Sequence, residues 1–216
     1  MAFSFPLAVA ALSDILPIES VVWGDQRNDE LSGSGDARTW AANLADPLWT
    51  AEVGLPPGYH ADMKEIAAVI RKLQGPRNSF FLVDPLSRYP KSDPIGSILG
   101  SSTVVIDAIA SDRQAISLGG LPANFALTRG DKGQVNYSSS PSRTWFFEVS
   151  ETVTANSGGE VTFEVYPTVP LLVAVAAAVI LKKPACKGFI MPGTFKPGTA
   201  ADMFTRGAGF TFMERR

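Results

Sequence analysis

The chain of 216 residues has one cysteine, Cys186, and one histidine, His60. A lone cysteine makes no intrachain disulfide, which excludes the small disulfide-stapled secreted scaffolds and fits folding in a reducing compartment. A lone histidine leaves His60 as the only imidazole for a Ser–His–Asp or Cys–His site, and no serine stands in a G-x-S-x-G context. Excess positive charge is missing too: 19 Lys and Arg against 21 Asp and Glu give a net charge of −2. A basic face for nucleic acid is therefore not expected. Long hydrophobic runs are also lacking. The most apolar stretch, "VPLLVAVAAAVILKKP", holds eleven apolar residues from Leu171 to Leu181 between Pro170 and Lys182-Lys183-Pro184. A membrane-spanning helix needs about 20. The run is expected to be a buried strand pair or core segment. Charging Val175 or Val179 is accordingly expected to abolish folding or assembly. No Lys or Arg precedes Arg27, while Asp14 and Glu19 follow the apolar Pro6–Leu12 stretch. That order predicts a buried first strand or turn rather than a secretory leader.

Glycine and proline, by contrast, are plentiful, 19 and 16, and punctuate the chain too often for a helical bundle. They suit short strands joined by turns. One helix stands out in "ADMKEIAAVIRKLQGP", expected over 62–73. Met63, Ile66, Ala67, Ile70 and Leu73 recur at one-face helical spacing. Asp62 and Glu65 sit in the first turn and Arg71 and Lys72 in the last, complementing the helix dipole, and Gly75-Pro76 signals the stop. Around it, Val21–Trp23, Arg38–Leu44 and "LWTAEVGLPP" read as strands, with a polar loop carrying Gly33 and Gly35 between the first two. Phe80–Val83 reads as a buried strand. "LSRYPKSDPIGS", with three prolines, is the expected linker or domain crossing. From Ser102 the pattern is almost purely β: "STVVIDAIA", two strands about a Gly-Gly-Leu-Pro turn, and a hairpin of Thr144–Thr154 with Glu160–Tyr166 across Asn156-Ser157-Gly158-Gly159. Short strands at Phe189–Met191 and Gly209–Met213 close the chain. Repeated strands at this spacing predict a mainly β fold with one amphipathic helix and a small barrel or sandwich, of the OB kind among others.

No residue pattern in the chain marks a specific chemistry. His60, in a "PPGYHAD" turn, reads as a helix-start or surface residue. Asp29-Glu30 lies in the expected glycine-bearing loop without calcium-loop spacing. Glu148 and Glu151 flank a strand end, where solvent-facing charges belong. "TRGDKGQV" lacks the spacing of a phosphate-cradling loop. Trp23, Trp40, Trp49 and Trp145 could form a sugar platform, but three lie on expected strands where core or subunit packing is the commoner role. No residue is assigned to catalysis, a cofactor or a metal, and an enzyme is not expected.

A chain so placed resembles a known family. "LWTAEVGLPPGYHADMKEIAAVIRKLQGPRNSFFLVDPLSRYP", Leu48–Pro90, is similar to the first domain of tail-tip proteins of tailed phages, the distal tail protein group. It shows that group's Trp-bearing strand, Leu-Pro-Pro turn, amphipathic helix, Leu-x-Gly stop, Asn-x-Phe strand and Asp-Pro turn. "LTRGDKGQV" and "RTWFFEVSETVTANSGGEVTFEVYPTV" resemble the group's Leu-x-x-Gly-Asp strand and its hairpin ending in a proline-bearing turn. Together these cover about two thirds of the chain; residues 1–45 match loosely. The resemblance implies a structural virion protein, assembled in the host bacterial cytoplasm. Its copies would form a homo-oligomeric, hexameric ring at the distal end of the tail, between the tail tube protein and the tail hub and tip proteins. It further implies a ring-forming belt domain at 1–93, an inserted OB-like or galectin-like β-barrel at 94–187, and C-terminal strands at 188–216 returning to the belt. A carbohydrate-binding module aiding host adsorption is the alternative, with host-surface glycans as partners and Tyr137, Trp145 and Tyr166 as the exposed aromatics it requires. A hydrolase built on His60 or an acid pair is the third reading.

Overall fold

The computed structural model describes residues 3–33, 35 and 38–216, except the side chains of Ser139 and Ser142. Among these residues the chain is mainly β, with one α-helix and one closed barrel. In order, the elements are β1 (Ser20–Gly33), β2 (Thr39–Gly54), β3 (Gly58–Tyr59), α1 (His60–Lys72) and β4 (Phe80–Val83). Then follow β5 (Val104–Ile109), β6 (Ala115–Gly119), β7 (Ala126–Leu127), β8 (Lys132–Ser139), β9 (Ser142–Val149), β10 (Val153–Thr154), β11 (Val161–Tyr166) and β12 (Ala178–Ile180). The last are β13 (Ala185–Ile190), β14 (Thr199–Ala201), β15 (Phe204–Arg206) and β16 (Gly209–Glu214).

An open antiparallel sheet runs β1-β2-β16-β13-β4. Its strands alternate as a half-buried sheet must: Trp49, Ala51 and Val53 of β2 point inward while Glu52 is exposed. The inner side meets α1 through Met63, Ile66, Ala67 and Ile70, with Leu55, Phe80, Leu82, Phe210 and Phe212 completing the core. Each such large apolar side chain contributes about 1.5–3 kcal/mol by leaving water. The helix starts at His60, two residues before the expected 62, because His60 itself is tied down by β15. It ends as expected, with Gln74 and Gly75 both left-handed. Leu7 and Leu12 are buried, and Leu7 bridges Phe80 in parallel through Leu7 N–H to the Ser79 carbonyl (3.0 Å) and Phe81 N–H to the Leu7 carbonyl (3.1 Å). The N-terminal segment thus covers part of the β4 edge.

Residues 84–184 are an excursion from this sheet. β4 and β13 are sheet neighbours, with Val83 opposite Ala185, and between them the chain builds a closed barrel, β11-β6-β5-β12-β8-β9. Its interior holds Ile106, Ile116, Leu118, Val135, Trp145, Phe147, Val149 and Phe163. The return strand into the open sheet begins at Ala185. The proline-rich crossing is no loose linker: Asp93, buried, accepts from the Ser97 and Leu99 amides at 2.9 and 2.8 Å. Asp131 accepts from the Lys91 amide at 2.9 Å.

Three expectations are corrected. The polar loop after Trp23 is strand, since β1 runs unbroken to Gly33 and places Asp29 and Glu30 in a ladder with Asn43 and Ala42; positions 34, 36 and 37 lie outside the described residues. Polar residues on both faces imitate a loop in sequence, yet the backbone pairs regardless. The hairpin of 144–154 with 160–166 is also different. β9 ends at Val149 and pairs chiefly with β8, while β11 pairs with β6 over Val161–Glu164 and meets β9 only at Val165 and Tyr166. The Asn156 turn does form, its side chain accepting from the Gly158 and Glu160 amides at 2.8 and 3.0 Å. Finally, the apolar run is not buried as a unit. Val173, Val179 and Leu181 reach the barrel core, but Leu171, Leu172 and Val175 are exposed, because most of the run is a turn at one end of the barrel rather than a strand inside it.

Candidate functional site

The barrel sits on the open sheet through the β8–β9 ribbon, both faces of which are buried. Cross-strand partners share a face: Val135 with Trp145 and Gly133 with Phe147 point into the barrel, Gln134 with Phe146 toward the sheet. A Cβ on Gly133 would lie 2.3 Å from the Phe147 ring, so only glycine allows that ring to close the barrel. Phe146 joins Trp23, Trp49 and Phe212 in an aromatic cluster with ring centroids 5.5–6.2 Å apart, and the Trp49 indole donates to the Phe146 carbonyl at 3.0 Å. Lys132 enters the same cluster. Its Nζ lies 4.5 Å above the Trp23 ring centroid and 2.8 Å from Asp84 Oδ2, and both charged groups are buried. The barrel is therefore fixed to the sheet by packing and by a paired internal charge.

On the other side of this seam the Tyr166 hydroxyl donates to Asp25. Burial, with the Asp25 hydrogen bond and charge, pushes its pKa up to about 12. Trp145 is fully buried and stacks on Phe147, Tyr166 packs against Trp49, and Tyr137 packs against the barrel core. The three aromatics named for sugar binding do not form an exposed platform, because strand alternation turns two of them into the two hydrophobic clusters.

His60 is held at both ring nitrogens. The Asp202 carbonyl, 3.0 Å from Nε2, can only accept, so Nε2 carries the proton and Nδ1, 2.8 Å from Thr205 Oγ1, accepts from that hydroxyl. The ring fastens the start of α1 to β15. Glu151 accepts the Glu164 amide at 3.0 Å, and Glu148 lies opposite Lys132 in the ladder. Cys186 is wholly buried, and burial pushes its thiol pKa well up. Among the described residues no group of three His, Cys, Asp or Glu side chains comes together in a metal-binding arrangement, and no helix is long and apolar enough to cross a membrane.

Two of the exposed apolar surfaces among the described residues lie on the β1–β2 ribbon and on the 171–176 turn; Leu86, Ile95 and Met203 are exposed elsewhere. β16 accompanies β2 only over Thr50–Gly54. Beyond that, β1 and β2 continue as a two-stranded arm whose residues Gln26–Gly33 and Thr39–Asp46 are exposed on both faces. Leu31, Trp40 and Leu44 on this arm are 72%, 67% and 61% exposed. The register shifts at Gln26/Asn28 and Asn28/Asp29 mark bulges that bend and twist the ribbon where it leaves the sheet. Pro47, with no N–H to offer, lies at the first. Arg216 clamps this root, donating to Asp46 Oδ2 and the Pro47 carbonyl at 3.0 Å each and to Glu214 Oε1 at 3.1 Å. Glu214 Oε2 in turn accepts the Trp49 amide at 3.0 Å. The second exposed surface is the 171–176 turn, where Leu171 is 85% exposed. It is pinned from below by the Arg113 guanidinium, which donates to the Val169, Pro170 and Val173 carbonyls at 2.8, 2.6 and 3.0 Å. The sequence pattern placed Trp40 on a strand but gave no sign of the arm. The available signal was the paired lengths of β1 and β2 around Gly33–Gly35.

Compared with protein-family models and with curated proteins, the chain matches none.

Proposed function

We propose that the chain is a non-enzymatic structural subunit of a phage tail tip. Its copies form a homo-oligomeric ring, hexameric in keeping with the resemblance, that joins the tail tube to the hub and tip proteins of a virion assembled in the bacterial cytoplasm. In this reading the open sheet is the ring-forming belt, and the OB-like barrel faces outward. The observation that carries it is the two-stranded arm. An isolated ribbon is marginally stable in water, and among the described residues this one leaves Leu31, Trp40 and Leu44 largely exposed. A neighbouring subunit supplies the missing cover, and closure of a ring leaves no strand edge open to continued aggregation. The rigid seam around Lys132 suits a scaffold that must hold two bodies in fixed relation.

The test is gold-labelled antibody to the chain on intact particles from its source, viewed by electron microscopy. Label confined to the tail end opposite the capsid is the expected result. Label along the tube or on the head would leave a virion role but remove the distal placement. Absence of the chain from the particle proteome would overturn the proposal.

A further inference from the structure

The open sheet carries opposite charge on its two flanks. β1 forms one edge, and β4 with β13 lies at the other, separated across five strands by about 19 Å. Along the β1 side stand Glu19, Asp25, Asp29 and Glu30, with Arg27 paired internally to Asp29 at 2.7 Å. The acidic flank continues onto the barrel. The Tyr166 hydroxyl joins Asp25 to β11, Glu148 is the ladder partner of Tyr166, and Glu164 lies two residues before it, with its amide held by Glu151.

The other flank is cationic. Arg71 and Lys72 end α1, and Arg77 follows on the turn into β4. Arg215 Nη1 reaches the Pro76 carbonyl at 2.9 Å, and its amide donates to the Lys187 carbonyl at 2.8 Å, drawing the C-terminal strand against that turn. Arg143, at the start of β9, belongs to the same field: burial first, then the charges of Arg215 and Arg143, hold the Lys187 ammonium pKa below its ordinary value. Arg71, Lys72, Arg77, Arg143 and Arg215 have no carboxylate partner among the described residues. The chain as a whole has a net charge of −2, so this is a segregation of charge rather than a general excess of cations.

We infer that copies of this chain associate head to tail, the acidic β1 flank of one seated against the basic β13–β4 flank of the next. Like flanks repel, which disfavours the two-fold arrangement, and unlike flanks attract, which fixes a heterologous contact of the kind that closes into a ring. The same contact covers the free β1 edge. The inference rests on the ring reading above and supplies its polarity.

The test uses the full chain and two double variants at exposed positions, Lys72→Glu/Arg77→Glu and Glu30→Lys/Glu164→Lys, with circular dichroism to verify folding. Self-association is followed by sedimentation velocity at low and high salt. Wild type should associate and weaken by at least about tenfold in high salt, and each variant alone should lose association to a similar degree at low salt. An equimolar mixture of the two variants should recover it, because reversed flanks face one another again. That recovery separates a charge contact from general damage to the fold. A monomeric wild type, salt-insensitive association, or variants that assemble like wild type would each overturn the inference. Should variants assemble normally while label still marks the tail end, the tail-tip reading stands and only the flank contact is wrong. Charge-dependent association by a chain absent from particles would uphold the flank contact and remove the tail-tip reading.

Discussion

The two halves of the β1–β2 hairpin are the same pair of strands in different surroundings. At the root, Trp49, Ala51 and Val53 face a core of α1, Phe80 and Phe212, and β16 adds a third strand. Past Asp46 the ladder continues, yet both faces meet water and Trp40 is 67% exposed. Backbone pairing alone thus sets the shape of the arm, while burial sets the stability of the root. The arm's apolar side chains contribute little to folding and stay exposed to solvent.

The largest effect expected from that contrast is at the root. Trp49→Ala should destabilise by about 3–5 kcal/mol, from lost burial and the cavity left behind, whereas Trp40→Ala should change chemical-denaturation stability by less than about 0.5 kcal/mol and, on the proposed tail-tip role, abolish incorporation into particles. Equal destabilisation by the two would break the comparison. Next comes the seam. Lys132→Ala leaves Asp84 buried and unpaired and should cost about 3–5 kcal/mol, while replacing the pair together by apolar residues should cost far less. A double-mutant cycle in denaturant measures the difference.

The apolar run gives a third contrast. Val179→Asp, in the barrel core, should prevent folding, and Val175→Asp, on the exposed turn, should leave the melting temperature within a few degrees of wild type. The smallest effect concerns pH. Burial holds the Glu214 carboxyl above its ordinary value of 4.5, with Arg216 opposing. The folded chain therefore binds this proton more tightly than the unfolded chain. The stabilisation is full below that value and is lost as pH rises through the folded pKa. Glu214→Gln should flatten the decline above about pH 4.5 in a stability–pH series.

Much of the fold was legible because its signals are local. The helix followed from the spacing of Met63, Ile66 and Ile70, β4 from the Phe80–Val83 run, and the Asn156 turn from its residue types. The arm was not legible, since Asp29 and Glu30 read as loop when no face is buried, and periodicity reports burial rather than pairing. Trp145 was misplaced for a related reason. A strand sandwiched between two cores buries both faces, so the consecutive aromatics of "TWFFEV" give no indication of which would be exposed. Leu171, Leu172 and Val175 failed in the opposite sense, for hydrophobicity alone does not state that a partner lies within the same chain.

The sequence by itself determined the mainly β class, the helix, the turns, and the exclusion of disulfide scaffolds and a membrane-spanning helix. Each depends on composition or on residues within a few positions of one another. Only the tertiary structure decided that the barrel leaves and rejoins the sheet between Val83 and Ala185, that Lys132 meets Asp84 among three aromatic rings, and that acidic and basic residues scattered along the chain gather on opposite flanks. These are long-range pairings, set by which surfaces can be buried together, and no local pattern encodes them.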